Sequence, residues 1–268
     1  MVLTAAGAVA GACPEAVPAE QRRRLVVALL DAGCKKRAVY RKAGLEQLEA
    51  ALLAFSRGGN ATNGGTAAAA AAPVAAATGG SAGAGGEDYY SLVAPALLEL
   101  AGSYVEAAQG AAAMETDGHP AGGGAAPAAL AGGQGEEDPH PGKAVPAAQV
   151  AACLGAAFAT AAPETAHQHA DAAAGALAGL LGAAGKPADQ LAAVTAACRL
   201  AEHAARVAGG AGTGEAAAAA PMLTPQQPGM AALLQGALRL AEEGKAAQLR
   251  EACYKLRCAW ECGCPDLA

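Results

Sequence analysis

Residues 25–56 read LVVALLDAGCKKRAVYRKAGLEQLEAALLAFS, and the spacing of their large apolar side chains decides the fold class. Leu25, Val26, Leu29 and Leu30 recur in an i, i+1, i+4, i+5 pattern, and Leu45, Leu48, Leu52 and Phe55 follow at intervals of 3, 4 and 3. Each series returns to one face of a helix with about 3.6 residues per turn. Gly33 interrupts the first series, so the pattern predicts two amphipathic helices joined by a short glycine-containing turn. Such an antiparallel pair buries one stripe and leaves a second face for a neighbour.

The same periodicity returns downstream. Residues 87–100, EDYYSLVAPALLEL, open on two acids suited to the positive end of a helix. Val93, Leu97, Leu100 and Tyr104 form the stripe, and Pro95 inside it should kink the helix or mark its start. Val150, Cys153, Leu154, Ala157 and Phe158 define another helix. Pro163 is placed as the first residue of the next, which carries Leu177, Leu180 and Leu181. After Gly185-Lys186-Pro187 the stripe is Leu191, Val194, Cys198, Ala201 and Ala205, closed by Gly209 and Gly210. Leu233, Leu234, Ala237, Leu238 and Ala241 make one more helix, and Leu249, Cys253, Leu256 and Trp260 the last. No run of alternating β-branched residues is bounded by hairpin turns.

The predicted class is all-α, with six to eight helices. Pairs recurring on a scale of about 40 residues point to a HEAT/armadillo-like α-solenoid fragment of antiparallel helix pairs with disordered Gly/Ala-rich insertions. A loose helical bundle is the second architecture. Residues 1–18 read as a flexible leader, 19–57 as the first helix pair, 58–86 as a low-complexity linker and 87–109 as a helix. Residues 110–144 are a second linker, 145–208 helical repeats, 209–228 a third linker and 229–264 a C-terminal helix pair. The linkers hold too few large apolar residues to offset the entropy of ordering them.

Composition narrows the function classes. Of 268 residues 53% are hydrophobic but only 3% aromatic, so the apolar fraction is largely Ala, which removes little area from water when buried. No strongly apolar run reaches the length of a membrane-spanning helix, and no membrane partner is expected. The leader lacks a basic start and contains Glu15, unlike a secretory or mitochondrial signal, so a cytoplasmic location with access to the nucleus is the expectation.

The net charge of -6 hides an asymmetry: nine of the 18 Lys and Arg residues lie between positions 20 and 57, opposed by Glu20, Asp31, Glu46 and Glu49. A basic face on an acidic chain can attract an acidic protein or a nucleic acid. The candidate partner-binding residues are Arg23, Lys35, Lys36, Arg37 and Arg41. The alternative is a solvated face whose basic stems cover small apolar neighbours.

Residues able to carry chemistry do not converge. Cys253, Cys258, Cys262 and Cys264 crowd the end of the chain, but their spacing departs from the paired C-x2-C of structural zinc sites. They read as small packing side chains. His167 and His169 project to different sides of a helix, His119, His140 and His203 lack a partner at ligand spacing, and all five are expected on the surface. Neither a phosphate-binding G-x-x-x-x-G-K-[ST] loop nor a G-x-S-x-G nucleophile elbow occurs. No catalytic residue, metal or cofactor is predicted.

Four segments, taken in order, resemble the C-terminal region of the large HEAT-repeat proteasome adaptor and scaffold family. They are residues 25–56, with the Cys-Lys-Lys turn and the aromatic-basic step into the second helix; residues 87–100, with the acid pair, two tyrosines and a Pro among apolar residues; residues 150–172, VAACLGAAFATAAPETAHQHADA; and the helix of residues 186–205. Proteins of that family are several times longer, so the resemblance implies a C-terminal fragment, a truncated gene model or a divergent short relative. It also implies a non-enzymatic scaffold whose partners are proteins, proteasome subunits among them. The alternative function is nucleic-acid binding through the basic N-terminal hairpin.

Overall fold

In the computed structural model the described residues are 17–34, 38–61, 87–116, 147–210, 224 and 226–263. Among them the chain forms eight α-helices and no strand. These are α1 (Ala19–Cys34), α2 (Ala38–Ala61), α3 (Tyr90–Thr116), α4 (Ala147–Phe158), α5 (Pro163–Ala183), α6 (Pro187–Gly210), α7 (Pro228–Glu243) and α8 (Ala247–Gly263). The leader up to residue 16, and the linker stretches 62–86, 117–146 and 211–223, lie outside the described residues.

Local chemistry explains most of the helix starts. At α1 the carbonyl of Pro18 accepts from Gln21 N and Arg22 N at 2.9 and 3.0 Å, and Glu20 puts a negative charge in the first turn. Pro163 and Pro228 open α5 and α7, where a missing N–H costs nothing because first-turn donors have no intrahelical acceptor. Tertiary structure caps α7: Asp171 on α5 accepts from Gly229 N at 2.8 Å and Met230 N at 3.2 Å. Asp88 does the same before α3, accepting from Ser91 N at 3.2 Å and Ser91 Oγ at 2.7 Å. It also accepts from Thr165 Oγ1 of α5 at 2.7 Å, tying α3 to α5.

Each odd-numbered helix packs against the even-numbered helix that follows it. Odd helices also touch in the order α1, α3, α5, α7, and even helices in the order α2, α4, α6, α8, with a further contact of α4 on α5. Apolar residues of all eight helices join one core cluster. The stripe Leu45, Leu48, Leu52 and Phe55 is buried, as are Val150, Cys153, Leu154, Ala157 and Phe158. Each fully buried Leu or Phe contributes roughly 1.5–3 kcal/mol relative to exposure, whereas the many buried alanines mainly set how closely helices approach. Phe158 of α4 sits at a junction, edge-on to Tyr90 of α3 at 5.3 Å and to His203 of α6 at 5.7 Å.

Four sequence expectations are corrected. Gly33 does not interrupt the first helix; it lies inside α1, where a Cβ would come within 2.9 Å of Leu45 Cδ2, and a Cβ on Gly44 would meet Gly33 N at 2.5 Å. The two glycines mark a close crossing of α1 and α2 rather than a turn. The first linker begins later than residue 58, because α2 runs to Ala61, and the second later than 110, because α3 runs to Thr116. Once a helix is nucleated each further residue adds a hydrogen bond, and in α3 the added turn is Ala-rich; the extension of α2 through Gly58, Gly59 and Asn60 has no such propensity behind it. Finally, Pro95 does not mark the start of α3, which begins at Tyr90 and includes it.

Candidate functional site

The basic segment of α1 and α2 is divided between core and solvent. Arg22 is drawn inward: its guanidinium lies 3.1 Å from Glu87 Oε2 and 5.7 Å from the centre of the Phe55 ring. Tyr89 stacks against Phe55 at 5.3 Å and donates its hydroxyl to Glu87. Burial, then the hydrogen bond to Glu87 and its charge, push the Tyr89 phenol well above its ordinary pKa. These four groups clamp α1, α2 and the entry to α3. On the open side, Arg24 Nε donates to Glu20 at 3.0 Å, and Lys42 lies 3.8 Å from Glu46, both as exposed i, i+4 pairs. Such pairs add only tenths of a kcal/mol.

Of the five candidate residues, Arg23 and Arg41 lie among the described residues, and they differ in exposure. Arg23 is exposed on α1. Arg41 is buried, at 6% exposure, and its charge opposes the rise in pKa that burial, then Asp31 and Glu99, impose on the Cys34 thiol at the end of α1. Lys35, Lys36 and Arg37 lie outside the described residues. The burial of Arg41 follows from register. It stands four residues before Leu45 and seven before Leu48, on the face that α2 turns to its neighbours. The continuous basic face expected from composition therefore does not include the Arg41 guanidinium as an open contact.

His203 also departs from expectation. It is buried, with Nε2 donating to the carbonyl of Ala161 at 3.0 Å and Nδ1 without a protein partner. Burial first, then the charge of Arg206, drives its pKa down to about 4, against the opposing hydrogen bond to Ala161. The ring is neutral and packs edge-on to Phe158. The reason it is inside lies in spacing: His203 falls seven residues after Ala196 and three after Leu200, on the buried side of α6. His167 and His169 are exposed as expected, and His119 and His140 lie outside the described residues.

Among the described residues Cys34, Cys153, Cys198, Cys253 and Cys258 are free thiols. Cys153 donates its Sγ–H to the Leu45 carbonyl at 3.0 Å, and burial raises its pKa far above the ordinary range. Burial, then Glu202 and Cys253, push Cys198 up to about 11, and burial raises Cys253. A thiol so held is a weak nucleophile near neutral pH. Cys258 is exposed; the side chain of Cys262 and all of Cys264 lie outside the described residues. Among the described residues no group of three or more His, Cys, Asp or Glu is placed to hold a metal ion.

Concave surface is found between successive helices of each row. A groove of about 600 Å³ runs between α5 and α7, where Gly175, Gly179, Gly182 and Gly236 leave low walls and Arg239 and Gln190 supply the polar edge. A cleft of about 350 Å³ between α6 and α8 is lined by Cys198, Glu202, Glu251 and Lys255 among others. In it Lys255 is committed to Glu251 at 2.8 Å. Arg199 of α6 reaches Glu49 of α2 at 2.9 Å, tying two helices of the even row that are not adjacent.

Searches of protein-family models, of curated proteins and of solved structures find no match to this chain. No helix among the described residues is long and apolar enough to cross a membrane.

Proposed function

We propose that this chain is a non-enzymatic scaffold or adaptor, a HEAT/armadillo-like α-solenoid that holds protein partners on its helix faces. The observation that supports this reading is the contact order of the helices, each on its hairpin partner and on the helix two places along. Stacked helix pairs of this kind contact only near neighbours and present extended surface rather than a closed pocket. The resemblance of residues 25–56, 87–100, 150–172 and 186–205 to HEAT-repeat proteasome adaptors makes proteasome subunits the partner class, in the cytoplasm and nucleus. The contact surface is the basic side of the first pair, Arg23 with Lys35, Lys36 and Arg37. Arg41 belongs to the packing behind it.

The test is binding of the full chain to purified proteasomes, compared with the variant Lys35→Glu, Lys36→Glu, Arg37→Glu. The expected result is capture by the parent chain and a loss of about tenfold or more in the variant, since reversed charge opposes an acidic partner. Circular dichroism should show equal helicity in the two. Absence of binding by the parent chain, or equal binding by both, overturns the reading. Binding of single-stranded RNA or DNA instead, falling steeply with added salt, would replace it with the nucleic-acid alternative.

A further inference from the structure

We draw no further inference here: the strongest candidate, the exposed apolar side chains on the two outer helix pairs (Val27 on α1, Tyr40 on α2, Leu238 on α7 and Tyr254 on α8), carries nothing because nothing in the structure shows what covers them.

Discussion

Leu48 and His203 are both buried, but removing each would have a different consequence. Leu48 is fully covered in the α2 stripe, so Leu48→Ala should cost about 2–5 kcal/mol through lost transfer energy and the cavity left behind. Urea unfolding followed by circular dichroism measures this. His203 acts through protons. Its pKa falls from an ordinary 6.5 to about 4 on folding, so between these values the unfolded chain binds the proton that the folded chain refuses. Stability is therefore highest above about pH 7 and declines as pH falls toward 4, by at most roughly 1.4 kcal/mol per pH unit. His203→Gln, which keeps a donor for Ala161, should flatten the difference between urea midpoints at about pH 7.5 and about pH 5. An unchanged pH profile in that variant would rule out His203 as the cause. Asp88 acts in a lower window. Burial works to raise its pKa, but the hydrogen bonds from Ser91, Thr165 and the backbone together lower it. Its contribution is thus present above its ordinary pKa of 3.8 and lost as pH falls further. The place of Leu48 was legible from spacing alone. That of His203 was not, because a lone imidazole on an Ala-rich helix carries no sign of which neighbour will cover it.

Between helices, glycine and alanine decide distance. A Cβ on Gly155 of α4 would lie 2.7 Å from both Cα and Cβ of Ala196 on α6. Gly155→Ala must push these helices apart, and a loss of about 1–3 kcal/mol is expected. Gly102, exposed on α3, meets nothing within 4 Å. Gly102→Ala should therefore raise stability by up to about 1 kcal/mol, through helix propensity alone. Paired melting curves of the two variants check this, and opposite signs are the expected outcome. The cap on α7 gives a third case. Asp171→Ala strips Gly229 N and Met230 N of their acceptor, and a cost of about 0.5–2 kcal/mol follows. Amide exchange should rise in the first turn of α7 while α5 itself stays protected. Helix existence and the buried stripes were readable from the period of large apolar residues. Helix ends were less so, since α2 and α3 run on into Gly- and Ala-rich sequence where no side-chain pattern marks a stop.

Across the whole molecule, helix packing joins near neighbours and the Arg199–Glu49 ion pair is the longer link described, so damage should remain mainly local. Leu256→Ala in α8 is expected to speed amide exchange in α8, α7 and α6, its packing partners, while α1 and α2 exchange as in the parent chain. Hydrogen exchange with mass spectrometry reads this directly, and uniform loss of protection across all eight helices would refute it. The sequence by itself determined that the described chain is helical, and it determined the inward stripe of α2, because a period near 3.6 admits one covered face whatever lies against it. The basic character of residues 20–57 was equally plain, charge being a property of composition. Only the tertiary structure decided which of those charges meet solvent. Arg22 turned toward Glu87 and Phe55, and Arg41 took its place on the packed face of α2. It also decided that Gly33 is a crossing point and that Asp171 caps a helix 58 positions away. Each of these depends on the approach of residues distant in sequence, and local periodicity holds no information about that separation.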